Sequence, residues 1–234
     1  MQLTDHLFLL TGAGYGQVGN AYAVLSEDRL TLIDAGKDDT SLEIMLDNLV
    51  LHHLDKYPVT DVLLTHMHND HSGNAWYWQE KGAKIRMSES DASGVASGGI
   101  RVNDYGLFPF HTCIADAFLE DDVPVTLNGV TFRPLLMPGH TNGSLFFLFE
   151  IDGFTCCATG DTVIPVPGEF DRGFEASFGW KGSSEMDNGK LFQTLERALQ
   201  IRCDILLGGH GVPVMRAGDE VLKQALRTAY MTLR

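Results

Sequence analysis

The sequence lacks any hydrophobic run long enough to act as a secretion signal or to cross a membrane. Residues 1–11 contain no basic region ahead of an apolar stretch, and the apolar run 7–10 is short. A signal peptide needs an apolar region of about 7–15 residues, and a membrane helix needs about 20. We therefore expect a cytoplasmic protein that has no membrane partner.

Cysteine is scarce, and its spacing is not that of a zinc or redox motif. The four cysteines are Cys113, Cys156, Cys157 and Cys203, and no CxxC pair occurs. Cys156 and Cys157 lie in an apolar segment. Neighbouring strand residues point to opposite faces of a sheet, so these two are poorly placed to bond to each other. We predict reduced thiols that pack as small apolar side chains.

Positive charge is also in short supply. Lys and Arg number 17 against 31 Asp and Glu, which gives a formal net charge of -14. An acidic surface repels phosphate backbones, so nucleic acid is not an expected partner. The hydrophobic content of 44% is ordinary for a folded protein and argues against disorder. The length of 234 residues fits one large domain, or two similar halves that share a core.

The chain contains two successive series of short apolar strands and amphipathic helices. The predicted strands span residues 7–10, 21–25, 30–33, 62–64, 130–136, 145–150, 154–159 and 205–207. The predicted helices span residues 41–54, 189–201 and a final segment from about residue 219. Ser41 or Thr40 is the expected cap of the first helix, whose apolar side extends to Val50.

Two segments, residues 88–122 and 163–188, have no clear periodicity and are predicted to be irregular loops that cover a site. The second carries four aromatic residues, namely Phe170, Phe174, Phe178 and Trp180. Such side chains either line a substrate cavity or fill gaps beneath the loops, and the sequence leaves both alternatives open.

Three of the nine histidines fall within six residues, in the segment His66-Met67-His68-Asn69-Asp70-His71. Imidazole and carboxylate groups are the ligands that zinc, iron and manganese accept. His66 and His68 are two residues apart, so in an extended segment both side chains point to the same side and can hold one ion. Asp70 and His71 follow where the chain turns, and they can face a second ion.

Three further candidates each follow an apolar strand and stand next to a glycine. They are His140 after Gly139, Asp161 after Gly160, and His210 after Gly209. Glycine permits close approach of the backbone, and a ligand at the end of a strand is held more firmly than one on a free loop. The remaining histidines, His6, His52, His53 and His111, match no motif, and we expect surface or packing roles for them.

These residues occur in the order seen in the metallo-β-lactamase-fold hydrolases, which the sequence resembles over essentially its whole length. The order also includes Asp34 in Leu32-Ile33-Asp34-Ala35-Gly36. The resemblance implies an α/β (α+β) fold, a four-layer αββα sandwich in which two mixed β-sheets pack face to face with helices outside. It further implies a single domain over residues 1–234.

The resemblance also implies a first metal position. By place in the motif, His66, His68 and His140 would bind this ion. Asp161 would bridge it to a second ion, although an aspartate after glycine is also common in turns.

A second metal position follows from the same resemblance, with Asp70, His71 and His210 as its ligands. Asp34 would orient the ligand loop without touching metal, although a plain turn or helix-capping role is the alternative. The implied cofactors are two zinc ions, with iron or manganese as alternatives, and no other cofactor-binding residue is expected.

The expected activity is hydrolysis of an ester, thioester or lactone bond in a small molecule. Two metals that share a solvent oxygen lower its pKa and supply hydroxide at neutral pH, and the resemblance suggests that Asp70 passes a proton to the leaving group. With aspartate at position 161, the sequence resembles the glyoxalase II-like and lactonase-like branch of the family rather than the true β-lactamases.

Other activities on this fold remain open. They are a phosphodiesterase, a mononuclear iron dioxygenase acting on persulfides, and a metal-binding module without catalysis. The flavin-linked di-iron relatives typically carry Glu at the place of His68, which disfavours them. The sequence leaves the oligomeric state open, with a homodimer among the alternatives.

Overall fold

The first half of the chain alternates short strands with helices, as seen in a computed structural model that describes residues 1–12, 14, 18–102, 109–168, 173–179 and 184–233. The strands are β1 (Leu7–Leu9), β2 (Tyr22–Ser26), β3 (Arg29–Ile33), β4 (Val59–Leu63), β5 (Lys84–Met87) and β6 (Ala117–Phe118). The helices are α1 (Asp39–Leu51), α2 (Asn69–Ser72), α3 (Ala75–Glu80) and α4 (Glu89–Ser97).

The second half contains mostly antiparallel strands and two long helices, one before and one after the last strand. The strands are β7 (Val125–Leu127), β8 (Val130–Leu136), β9 (Leu145–Ile151), β10 (Phe154–Gly160), β11 (Ile164–Pro167), β12 (Phe174–Ser177) and β13 (Ile205–Gly208). The helices are α5 (Asn188–Ala198) and α6 (Gly218–Thr232). Within the described ranges, no helix combines the length and the apolar character that crossing a membrane requires.

The strands form two large mixed sheets and one small hairpin. The first sheet has the order β1-β2-β3-β4-β5-β6, in which β3 to β6 run parallel and the first three strands antiparallel. The second sheet has the order β13-β10-β9-β8-β7, and only the β10–β13 pair is parallel. Strands β11 and β12 pair with each other. The predicted mixed sheets are therefore confirmed.

Three buried clusters separate four layers. One cluster lies between the two sheets and includes Ile33, Phe132 and Phe147. A second covers the outer face of the first sheet beneath the helices of the first half, and a third lies beneath α5 and α6. Cys156 belongs to the cluster between the sheets and Cys157 to the helix-side cluster, as their predicted opposite orientations require. The αββα sandwich is confirmed.

Helix α1 begins two residues before its predicted start. Its N-cap is Asp38, whose Oδ1 accepts a hydrogen bond from the Ser41 N–H at 3.1 Å. The Ser41 hydroxyl in turn accepts from the Asp38 N–H at 2.9 Å, which completes a capping box. The prediction of Ser41 or Thr40 as the cap was wrong because Ser41 occupies the N3 position. Val50, predicted on the buried side, is 60% exposed.

Residues 88–122 are not the irregular cover that the sequence predicts. They contain α4 and β6, and β6 extends the first sheet beside β5. Helix α4 contains few apolar residues, so its periodicity is weak, and its buried residues are Asp91, Gly94 and Val95. Contacts with the rest of the fold stabilise such a helix more than its own propensity does.

Residues 163–188 also contain regular structure, namely the β11–β12 hairpin. Pro165 and Pro167 fall within β11, and proline argues against a strand when only the sequence is read. Phe174 and Phe178 pack against the cluster beneath α5 and α6, so these two side chains fill gaps. Phe170 and Trp180 lie outside the described residues.

Candidate metal centre

The candidate ligands lie at loops that follow strands of both sheets. His66 and the residues after it follow β4, and His140 lies in the loop between β8 and β9. Asp161 and His210 follow β10 and β13, which run parallel and end side by side. A hydrogen bond from the Leu145 N–H to the Thr65 carbonyl, 2.8 Å long, joins the loops of the two sheets. The two halves therefore meet at this edge of the sandwich.

Three histidine side chains form one group. The potential ligand atoms of His66, His68 and His140 all lie within 4.8 Å of one another, and all three residues are buried. The rings meet edge to face, with centroids 4.6–4.8 Å apart. His68 Nδ1 lies 2.9 Å from His140 Nε2. This three-histidine cluster converges on a space of the size that one metal ion occupies.

A second group combines two carboxylates with two imidazoles. Its members are Asp70, His71, Asp161 and His210, again with potential ligand atoms within 4.8 Å of one another. His210 Nε2 lies 3.2 Å from Asp70 Oδ2, and His71 Nε2 lies 3.5 Å from the same oxygen. We call this group the carboxylate-containing cluster.

Asp161 contacts both groups. Its Oδ1 lies 3.2 Å from His71 Nε2, and its Oδ2 lies 3.2 Å from His210 Nε2. The same Oδ2 is 3.7 Å from Nε2 of His140 in the three-histidine cluster. A carboxylate in this position can offer one oxygen to each side.

Two imidazoles of the three-histidine cluster, those of His66 and His140, favour the neutral form. Burial and the neighbouring His71, His140 and His68 lower the pKa of His66 well below its ordinary value. Burial, followed by His68, lowers the pKa of His140 to about 3. Because neutral imidazole is the form that binds metal, these two side chains can act as ligands at neutral pH.

The carboxylate-containing cluster favours charged groups. Burial lowers the pKa of His71, but Asp70, Asp161 and Asp34 outweigh it and raise that pKa well above its ordinary value. Burial also opposes protonation of His210, yet Asp161 raises the pKa of His210 to about 9. Burial favours a neutral Asp161, but His210 and His71 hold its pKa well below the usual range. The cluster therefore attracts positive charge, which a divalent cation can supply.

The donor atoms fit a zinc ion. Imidazole nitrogen and carboxylate oxygen are common zinc ligands. The buried Nε2 of His66 has no hydrogen-bond partner in the part of the chain that the structure describes. A buried polar atom without a partner is costly, and a metal ion at the convergence of the three rings would satisfy it. The residues present therefore fit a metal of this class.

A profile of the metallo-beta-lactamase superfamily matches residues 14–210, which is most of the chain and spans all seven candidate ligands. The chain belongs to the metallo-beta-lactamase superfamily.

Curated relatives in this superfamily include several hydrolases. The chain is 22% identical over 226 residues to the atrochrysone carboxyl ACP thioesterase of Aspergillus fumigatus, covering 95% of this chain and 61% of that protein. It is 32% identical over 103 residues to the hydroxyacylglutathione hydrolase of Pseudomonas putida, covering 44% and 33%. It is 31% identical to a probable polyketide biosynthesis zinc-dependent hydrolase, BaeB, of Bacillus velezensis, covering 78% and 68%. The chain thus spans only part of these relatives. Together with the site geometry, their names support a metal-dependent hydrolase.

Solved structures share the fold. The metallo-β-lactamase FEZ-1 from Legionella gormanii superposes with a TM-score of 0.77 at 17% identity, over 100% of this chain and 94% of that one. A metallo-β-lactamase family protein from Thermus thermophilus gives 0.75 at 19% identity, over 99% and 81%. At these identities the similarity describes the architecture and leaves the substrate open.

Buried polar residues that the sequence did not predict hold the ligand loops of the metallo-β-lactamase-type site. Asn20, two residues before β2, donates through Nδ2 to the carbonyls of Gly208 and Gly211 on either side of His210. Asp91 on α4 accepts hydrogen bonds from the two loops that carry the three-histidine cluster. Asn20 follows a glycine-rich stretch, which gave a weak signal, and Asp91 had no sequence signal.

The four histidines outside the motif belong to neither candidate ligand cluster. His111, the one in a predicted cover loop, stacks on Trp76 with ring centroids 4.6 Å apart. His6 pairs with Asp152 at the surface. The expectation of packing and surface roles holds for both.

Proposed function

We propose that the protein is a dinuclear zinc hydrolase that cleaves a thioester, ester or lactone bond in a small molecule. The observation that carries the proposal is the position of Asp161, whose two carboxylate oxygens face histidines from two adjoining clusters. Asp161 would be the shared ligand, with His66, His68 and His140 on one side and the remaining three residues on the other.

The residues around the two proposed metal ions direct the chemistry. Two ions held by these seven residues would supply hydroxide at neutral pH and a Lewis acid for the carbonyl group of the substrate. Asp70 is the most exposed of the seven, with a side chain 18% accessible, whereas the other six residues are buried. Burial would favour its neutral form, but His71 and His210 lower the pKa of Asp70, so it is ionised at neutral pH. Asp70 can therefore accept a proton and pass it to the leaving group.

We place thioesters first among the substrates. One relative is named as an ACP thioesterase and another as a hydroxyacylglutathione hydrolase. Both names point to acyl groups carried on larger molecules, and neither identifies the acyl group for this chain. The net charge of -14 supports a substrate other than nucleic acid.

Metal content and substrate cleavage test the proposal together. The protein is purified without added metal and measured by elemental analysis, then assayed against aryl thioesters, aryl esters and γ-lactones. We expect two zinc ions per chain and cleavage of thioesters. One iron ion per chain with oxygen uptake on persulfides would contradict the proposal and favour a dioxygenase.

Two variants separate the site from general effects. His210→Ala removes a ligand of the carboxylate-containing cluster and is expected to lower both zinc content and activity. His6→Ala removes a surface histidine that pairs with Asp152, and it should change neither. Equal activity in the two variants would show that the cluster is not the reaction site.

A further inference from the structure

The carboxylate of Asp91 joins the two loops that carry the three-histidine cluster. Asp91 is fully buried, although aspartate is rarely buried without partners. Its Oδ2 accepts from the Met67 N–H at 3.1 Å and from the Thr141 hydroxyl at 2.7 Å. Its Oδ1 accepts from the Gly143 N–H at 2.8 Å. Three donors from two separate loops thus converge on one side chain.

The donors stand next to the candidate ligands in sequence. Met67 lies between His66 and His68, and Thr141 directly follows His140. A shift of the Asp91 carboxylate therefore moves both loops at points one residue away from all three histidines. Asp91 itself belongs to neither ligand cluster, so its role is distinct from theirs.

The close approach of α4 to these loops leaves little room at two glycines. A Cβ atom at Gly94, one helical turn after Asp91, would lie 2.5 Å from the Met67 Sδ atom, so the Met67 side chain would have to move. A Cβ at Gly143 would lie 2.4 Å from Asp91 Oδ1. Real Cβ contacts are not this short, so a larger residue at Gly143 would displace the buried Asp91 carboxylate. The sequence therefore keeps α4 in direct contact with the ligand loops.

We propose that Asp91 is a positioning residue that fixes the separation of His68 and His140, and thereby sets the zinc affinity of the three-histidine cluster. The inference rests on the proposed function only in that this cluster is taken to bind a divalent ion. Altering a group that orients a metal ligand lowers the metal affinity by about 10–100-fold, although the group does not touch the metal.

The test compares zinc affinity in Asp91→Ala with that in a matched control. The control is Asp61→Asn, which alters a buried carboxylate on β4 that pairs with Arg86 Nε at 2.7 Å and belongs to neither candidate ligand cluster. Zinc binding is measured by competition with a chromophoric chelator, which gives a separate affinity for each of the two zinc ions. The His140→Ala variant identifies which of the two affinities belongs to the three-histidine cluster.

For Asp91→Ala we expect the zinc affinity of the three-histidine cluster to fall by about 10–100-fold, and the affinity of the carboxylate-containing cluster to change less. Asp61→Asn should retain both affinities. Thr141→Val, which removes one donor, should lower the zinc affinity of the three-histidine cluster by a smaller factor, and Thr141→Ser should restore it. The Thr141 pair gives the answer if Asp91→Ala does not fold.

Each alternative outcome has a clear meaning. Lower melting temperatures in Asp91→Ala and Asp61→Asn, with unchanged zinc affinity in both, would overturn the positioning role. Unchanged affinity in Thr141→Val would do the same. A wild-type protein with no zinc bound at the three-histidine cluster would instead overturn the proposed function.

Discussion

Asp34 Oδ2 lies 2.9 Å from His71 Nδ1, in a contact that is buried on both sides. The same carboxylate accepts hydrogen bonds from the N–H and the hydroxyl of Thr65, each 2.8 Å long. One side chain at the end of β3 therefore holds a candidate ligand and the residue before His66. Because Nδ1 of His71 is engaged, its Nε2 is the nitrogen that faces the carboxylate-containing cluster.

Asp34→Ala is expected to weaken binding of the ion in the carboxylate-containing cluster by about 10–100-fold, because His71 would lose its fixed orientation. Asp34→Asn should lose less, since asparagine retains an acceptor for Thr65 and tolerates the left-handed backbone at this position, where φ is +61°. Chelator competition measures both. Equal affinity in wild type and Asp34→Ala would show that His71 does not depend on Asp34.

Asp161→Ala is expected to reduce the metal content from two ions per chain to one or none. Both clusters lose a carboxylate oxygen in this variant, so activity should fall by at least about 100-fold. Elemental analysis and a thioester assay on the same sample provide the two readouts. Retention of two ions would contradict the bridging role of Asp161.

Zinc binding at pH 7 is expected to release protons. The raised pKa values of His71 and of His210, about 9 for the latter, mean that both are protonated at pH 7 before zinc binds. A metal requires both in the neutral form. Calorimetry in buffers of different ionisation enthalpy counts the protons, and the count should fall as the pH rises through about 9. A count independent of pH across that range would contradict this electrostatic account.

The raised pKa of His210 also makes the free energy of unfolding of the metal-free protein depend on pH. The folded-state pKa of His210 lies above the value of about 6.5 expected in the unfolded chain. Its contribution to the free energy of unfolding is therefore fully present below pH 6.5 and is lost as the pH rises through about 9. Urea unfolding of chelator-treated protein at several pH values should show this decline, and addition of zinc should reduce it.

Asn20→Ala is expected to lower the occupancy of the carboxylate-containing cluster more than that of the three-histidine cluster. The variant removes the donors to the carbonyls of Gly208 and Gly211, which otherwise hold the chain around His210. Tyr22→Phe is the matched comparison, since it removes the 2.7 Å bond from the Tyr22 hydroxyl to Gly208 and the 3.0 Å bond from Asn20 Nδ2 to that hydroxyl, and it leaves both bonds from Asn20 to the two carbonyls in place. Tyr22→Phe should therefore lower the metal occupancy of the carboxylate-containing cluster less than Asn20→Ala does. An equal loss at both clusters in Asn20→Ala would contradict a local effect.

The sequence predicted eight of the described strands, and it predicted which side chains the two candidate ligand clusters bring together, because both leave short-range patterns. Continuous apolar runs identify buried strands such as β4, and the spacing of His66, His68 and His71 reflects the local geometry of one chain segment. His140 and His210 could be added because each follows an apolar strand beside a glycine.

Unlike Asp34, the supporting residue Asp91 could not be predicted from the sequence, for a physical reason. Asp91 lies in a helix whose own sequence shows weak periodicity, and all its partners come from residues 24 to 52 positions away. Buried hydrogen bonds between distant segments depend on the assembled fold, and a single sequence carries no local sign of them. The β11 strand escaped prediction for a related reason, since its pairing with β12 outweighs the two prolines.

The division of the ligands between the two sheets has a consequence for how the protein matures. His66 to His71 come from the half built on the first sheet, whereas His140, Asp161 and His210 come from the half built on the second. During synthesis, the growing chain can thus form the first sheet and its helices long before it can hold the two ions that we propose. His210 is the last of the seven candidate ligands to leave the ribosome, so the complete set of ligands exists only after translation has passed residue 210.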